Sequence, residues 1–238
     1  LKFEGKMIKN AAESVEKRAE KVKERGIDKL KYGAMLDDAY QKIKEMMYNN
    51  QLIPGQKIIY GDLADRLNTS ITPIIQALKR LESSKIVRYL PNKGYVVTEI
   101  TEAELRDLYE ARESLELFIL PRIIKNMSPD VLASVRDDFR KLELSDPRKW
   151  VLHDEHFHLK IAEYARNDVI YHLLEEILER IYLRYKPQYL GEERLKEALR
   201  EHREILQSIA SGNVRKVRNV IRKHILHQLD YTIRYMLK

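Results

Sequence analysis

The stretch IVRYL-PNKG-YVVTEI, ending at Ile100, constrains this chain more than any other. It alternates, and it is rich in β-branched and aromatic residues, so it reads as two short strands around the turn Pro91-Asn92-Lys93-Gly94. The rest of the sequence from Gly33 onward carries helical spacing. Residues 34–50 place Met35, Leu36, Ala39, Tyr40, Ile43, Met46 and Met47 on one side of a helix. A short helix around LADRL opens at Tyr60, Gly61 or Asp62. A third, IIQALKRLESS, has Thr72 as an N-cap hydroxyl and Pro73 at the first helical position, and runs to about Ser84. After Thr98 helices are expected near 102–126, 129–143, 148–165, 168–186, 192–211 and 214–237, with Gly212 as a left-handed C-terminal stop. Thr101 and Glu104 form a capping box that opens the first of these.

The expected fold is therefore mainly α. A winged helix-turn-helix with a small β-hairpin occupies residues 34–99, and an antiparallel all-α bundle of about six helices occupies residues 100–238. Residues 1–33 form a charge-dense extension, read as a docked helix and a dimer contact rather than a frayed tail.

Charge points the same way. The net charge is +7, and the first 30 residues carry nine Lys/Arg against six Asp/Glu. Residues 31–100 carry ten against seven, which leaves an excess of only +1 for the remaining 138. A nucleic-acid site is thus expected in the first 100 residues. The third helix and the hairpin hold Lys79, Arg80, Lys85, Arg88 and Lys93 against a single acid, Glu82. Thr69, Ser70 and Thr72 cluster at the N-terminus of that helix, where free N–H groups favour a phosphate. With 0 cysteines there is neither a disulfide framework nor a thiolate metal site. No apolar run reaches the ~20 residues of a membrane helix, and LKFEGKMIKN lacks a signal-peptide core, so the expected location is the cytoplasm, with no membrane partner.

Residues 36–98 resemble the DNA-binding domain of the GntR family of bacterial regulators. The matching words are QLIPGQKI, LADRLNTSITPIIQALKRLESSKIV and PNKGYVV. The resemblance implies a reader of double-stranded DNA at a pseudo-palindromic operator, bound by a homodimer. The family usually places arginine where this chain has Ile71 and Ile75. Base reading then falls to Ser70, Thr72, Gln76 and the wing, including Arg88, with phosphate contacts from Lys79, Arg80 and Lys93.

The string HDEHFHLKIAEYARN puts Asp154 and His158 on one helix face, four residues apart. His202 and His224 lie on consecutive helices flanking Gly212, and an antiparallel pair can bring them to that face. One carboxylate and three imidazoles suit Zn, Ni, Mn or Fe as a divalent ion. Spacing alone leaves each histidine equally readable as an ordinary surface or core residue. This region also resembles the FCD domain, the effector domain of the FadR branch of the same family. The shared pattern is Asp154, Phe157 and His158, then Asn167, His202 with Ile205, Ile209, Gly212 and Asn213, then His224. The resemblance implies that Asp154, His158, His202 and His224 hold a divalent metal. It also implies that Arg112, with Asn167, meets a small carboxylate effector. At i,i+4 spacing Arg112 is equally readable as a salt-bridge partner of Glu116. His153, His156, His172 and His227 match nothing in the pattern and read as surface residues. The expected function is a transcription regulator, a repressor by type. A metal-responsive regulator without an organic effector and a metal-dependent enzyme are the alternatives. Against an enzyme, the chain has no phosphate loop, no G-x-S-x-G and no H-E-x-x-H.

Overall fold

A computed structural model describes residues 33–140, 147–184, 186 and 189–237. The expected N-terminal helix of residues 1–33 lies, apart from Gly33, outside the described residues. The chain divides into two compact units, Leu1–Ile43 with Ile59–Leu81, and Lys44–Ile58 with Glu82–Lys238.

Helix α1 spans 33–48, followed by strand β1 (Lys57–Ile58), α2 (Tyr60–Arg66) and α3 (Ile71–Ser83). In the first unit the apolar faces of these helices bury Ala39, Tyr40, Ile43, Leu63, Ile74, Ala77, Leu78 and Leu81. Helix α3 starts at Ile71, so Thr72 is not its cap. Pro73 instead sits in the first turn, where the missing N–H costs no helical bond. Asn68, at φ 49, makes the sharp turn between α2 and α3.

The second unit begins with β1, β2 (Val87–Leu90) and β3 (Gly94–Val97), an antiparallel sheet in the order β1-β3-β2. The hairpin is where the alternation places it, with Tyr89 paired to Tyr95 and Leu90 to Gly94. Its loop has three residues rather than four. Gly94, at φ 81, is already in the strand, and only glycine adopts that conformation cheaply. Strand β1 was not legible, because two residues carry no measurable alternation.

Among the described residues six helices follow: α4 (Glu102–Asn126), α5 (Pro129–Arg140), α6 (Pro147–Glu163), α7 (Asp168–Tyr182), α8 (Glu192–Ala210) and α9 (Val214–Met236). Thr101 caps α4 by accepting from Glu104 N at 3.2 Å. Gly212 stops α8 at φ 68, and Asn213 caps α9 by accepting from Lys216 N. Helix α4 packs against α6, α7, α8 and α9. Its neighbours α8 and α9 run antiparallel, with Arg194 beside Tyr231 at one end and Glu201 bonded to His224 at the other. Among the described residues no helix is long and apolar enough to cross a membrane.

Candidate metal centre and nucleic-acid face

The interior of α4–α9 is not uniformly apolar. Asp154 and His158 project from α6, His202 from α8 and His224 from α9, and all four are buried. One ligand atom from each lies within 4.8 Å of the others. His158 Nε2 and His224 Nε2 are 3.1 Å apart, and His202 Nε2 is 3.0 Å from Asp154 Oδ1. The sequence-predicted four thus converge.

The surrounding carboxylates decide what these nitrogens can do. His158 Nδ1–H donates to Glu116 Oε2 at 2.9 Å, and His224 Nδ1–H donates to Glu201 Oε2 at 2.8 Å. With Nδ1 protonated, each ring presents an Nε2 lone pair to the centre. Two facing lone pairs 3.1 Å apart repel unless a cation sits between them. Bonds of about 2.1 Å at right angles give ligand–ligand edges of about 3.0 Å, so a small divalent ion fits this donor set. Phe157 stacks on His202 with ring centroids 3.8 Å apart and an interplanar angle of 8°, which fixes that ring. Asp154 Oδ2 accepts from Tyr182 Oη and from Gln228 Nε2, leaving Oδ1 for the centre.

Burial dominates the protonation of the cluster. It pushes His202 down to about 3, against the pull of Asp154, and it lowers His158, helped by Arg112. For Asp154 burial works toward protonation, but the facing imidazoles, His202 first, hold its carboxyl well below the usual range. Burial likewise opposes the charge on Glu116, but His158 and Arg112 hold it down at about 2. The chemistry available at His202 and His158 is therefore that of neutral imidazoles beside the ionised Asp154 carboxylate, the state that a metal requires.

Arg112 forms the salt bridge to Glu116 that its i,i+4 spacing offers. Its Nε donates to Glu116 at 2.7 Å, and Nη1 donates to Gln228 Oε1 at 2.9 Å and to Tyr182 Oη at 3.3 Å. Its Nη2 is buried without a hydrogen-bond acceptor. Asn167 is placed differently. It caps α7, and its amide oxygen accepts from Ile170 N at 3.2 Å. Of the histidines set aside, His227 is linked to the site through Glu201, at 2.6 Å from its Nδ1. Glu201, Tyr182, Gln228 and Arg194 escaped the sequence reading. A signal was present in their spacing, since Gln228 is one turn from His224 and Arg194 two turns from His202. A cavity of about 450 Å³ opens on the Phe157–His202 stack, with Arg136, Arg140 and Arg203 in its lining. Tyr48, in the last turn of α1, bonds to Glu155, the neighbour of Asp154 on α6. Burial raises that Glu155 carboxyl to about 7.

The predicted DNA contacts sit on surface positions. Ser70, Thr72, Gln76, Lys79 and Arg80 are exposed at the start and along the outer face of α3. Ile71, 48% exposed, occupies the same face. Arg80 is also used within its own unit, paired to Asp37 at 3.1 Å and lying 4.0 Å over the Tyr40 ring. Lys93 is exposed at the hairpin turn. Arg88, on edge strand β2, lines an open groove of about 1010 Å³ with Lys85, Glu104, Asp107 and Arg184.

A helix-turn-helix with a hairpin wing, followed by a helical domain with a buried carboxylate–histidine cluster, describes a regulator that joins a DNA reader to a second domain. Comparison with known proteins agrees. The FCD domain matches residues 107–227, and the bacterial regulatory proteins of the gntR family match residues 36–97. The chain belongs to the GntR family and carries an FCD domain; it is a DNA-binding transcription regulator and not an enzyme. It is 29% identical over 183 residues to the HTH-type transcriptional regulator McbR of Escherichia coli, covering 74% of this chain and 81% of McbR. It is 22% identical to the HTH-type regulator YdhC of Bacillus subtilis, covering 81% of this chain and 88% of that one. The solved structure of E. coli McbR/YncC superposes with a TM-score of 0.74 at 21% identity, over 84% of this chain and 97% of that chain.

Proposed function

We propose that the helical domain, residues 100–238, holds a divalent transition metal through Asp154, His158, His202 and His224, and that a small carboxylate effector at this centre modulates operator binding by the reader, residues 34–99. The observation that carries the reading is the pair of Nε2 atoms 3.1 Å apart, each with its Nδ1–H given to a carboxylate. That arrangement spends protein groups to point lone pairs at one spot. The metal supplies a cationic anchor for an acid group, and Zn, Ni, Mn and Fe all accept this donor set. Arg112, charged and buried beside the cluster with Nη2 unspent, suits a carboxylate by charge-assisted bonding. Asn167, already committed to capping α7, is left with a positioning part at most.

The protein acts as a homodimer on a pseudo-palindromic DNA site, because two identical readers match two half-sites. The effector changes DNA affinity only if it prefers one geometry of the dimer. The hydrogen bond from Tyr48 to Glu155 supports such a linkage, since it joins the end of α1 to the helix that carries Asp154 and His158.

Elemental analysis of the purified protein tests the metal. About one divalent ion per chain is expected, and Asp154→Ala or His202→Ala should bring it near zero. Unchanged stoichiometry in both variants would refute the site. Operator affinity is then read on a DNA fragment from beside the protein's own gene, with the metal alone and with added short carboxylates. Equal affinity throughout would sink the sensing reading and leave a metal of purely structural use.

A further inference from the structure

Helix α4 has two faces of different use. Leu105, Arg112, Glu116, Leu120 and Ile123 are buried in the bundle. On the opposite side Asp107, Ala111, Ser114, Phe118, Arg122 and Lys125 follow one another at steps of three or four residues, which is one line along a helix. All but the half-buried Ala111 are exposed. Phe118 is 68% exposed, whereas Tyr109 on the inward face is buried.

Helix α7 widens this line into a patch. It packs against α4 and runs antiparallel to it. Asn126, at the end of α4, bonds to Tyr164 O just before α7 begins, and Glu104, at the start of α4, pairs with Arg184 just after α7 ends. That direction puts Val169, 71% exposed, near the level of Phe118. One and two turns further on, Leu173 and Ile177 line the same groove as Ala111 and Asp107. Single apolar side chains on a surface are ordinary, but a contiguous row rimmed by charge marks an interaction surface.

The charges say what covers it. Asp107 lies at one end of the α4 line, and Arg122 and Lys125 lie at the other. Among the described residues neither Asp107 nor Arg122 has an ion-pair partner. A face with acid at one end, base at the other and apolar groups between is complementary to itself when turned end for end. Two α4 helices laid antiparallel about Ser114 and Leu115 set Asp107 against the partner's Arg122. The same register sets the small Ala111, beside Leu173 and Ile177, against the partner's Phe118. Each contact then occurs twice, as a two-fold axis requires. A parallel pairing would instead put like charge on like charge and bulk on bulk.

We infer that the α4–α7 face is where the helical domains of two copies of this chain meet, with the two α4 helices antiparallel and Phe118 as the anchor. This inference rests on the homodimer reading above and names the surface that makes the dimer.

The test measures the dimer dissociation constant of the full-length protein by sedimentation over a range of concentrations, with circular dichroism to check that each variant is folded. Phe118→Arg should weaken dimerisation at least ~100-fold, because a central aromatic anchor is lost from both copies. Asp107→Arg and Arg122→Asp should each weaken it ~10-fold, since each sets two pairs of like charges face to face. Both together should bring the constant back to within ~3-fold of the wild type, because the pair is then only reversed. The charge pair also decides the matter if Phe118→Arg fails to fold. Wild-type protein that stays monomeric at every concentration overturns this face and the homodimer reading together. A wild-type dimer unmoved by Phe118→Arg and by Asp107→Arg overturns the face alone and leaves the homodimer, held by another surface. Single charge variants that weaken the dimer with no rescue in the double variant overturn the antiparallel pairing.

Discussion

The first unit and the α4–α9 bundle keep their functional groups in opposite places. In the first unit the interior is apolar, with Ile43, Ile74, Leu78 and Leu81 fully buried, while Ser70, Thr72, Gln76 and Lys79 line the surface. In the bundle the polar groups are the interior. Asp154, His158, His202, His224, Arg112 and Glu116 are as buried as the leucines around them. An apolar core is stable without any ligand, and its surface is free to change, as Ile71 and Ile75 at the family's arginine positions illustrate. A polar core owes part of its stability to whatever completes it, so its stability reports on binding. That coupling is what a sensor needs and what a reader is better without.

The largest effect that would break this comparison is in the apolar core. Leu78→Ala should cost about 2–5 kcal/mol of the first unit's stability, from lost burial and a residual cavity. Metal content should stay the same. A coupled loss of metal, seen by elemental analysis beside the melting curve, would show that the two regions are not separable in this way.

A second prediction concerns acid and the metal-free bundle. His202 and His158 titrate below the unfolded value near 6.5, so the unfolded chain takes up protons first as pH falls. Their contribution is therefore complete above about pH 6.5 and declines below it, by about 1.4 kcal/mol per pH unit for each histidine, while Glu155, raised to about 7, works the other way between about pH 7 and 4.5 and offsets one of them. Glu116 and Glu201, held at about 2, add a further loss only below about 4.5. Saturating metal should move the onset of the decline to lower pH. Denaturant midpoints that are flat from pH 7 to 5 in metal-free protein would contradict a cluster of neutral buried imidazoles.

The smallest effect is on the surface. Lys93→Ala should leave stability unchanged and lower the salt dependence of operator binding by about one counterion. It should weaken all DNA sequences alike. A change in sequence preference instead would make Lys93 a base reader rather than a phosphate contact.

Much of this was legible beforehand because it depends on local chemistry. The hairpin followed from alternation, Gly212 from a helix that had to stop, the capping of α4 from Thr101 and Glu104. The four cluster residues were recognisable by resemblance to the FCD pattern and not by spacing, since an aspartate and a histidine four apart on a helix are common by chance. The pairing of Arg112 with Glu116 followed from i,i+4 spacing. Harder to see were the start of α3 before Thr72, the strand Lys57–Ile58 and the capping use of Asn167. For α3 a helix boundary shifted by a residue, and for Lys57–Ile58 a partner strand distant in sequence, outweighed the local signal; for Asn167 the resemblance to an effector-binding position outweighed a cap that is local.

By itself the sequence determined which residues carry the chemistry, because side-chain type and helical period belong to the chain. It determined the order of the elements for the same reason. Tertiary packing alone decided that the imidazoles turn their Nε2 atoms to one point, because Glu116 and Glu201 come from α4 and α8 to take the Nδ1 protons. It alone brought Arg112 and Gln228, 116 residues apart in the sequence, into a hydrogen bond inside the bundle. Distance along the chain says nothing about such a pairing; only the antiparallel packing of α9 on α4 and on α8 does.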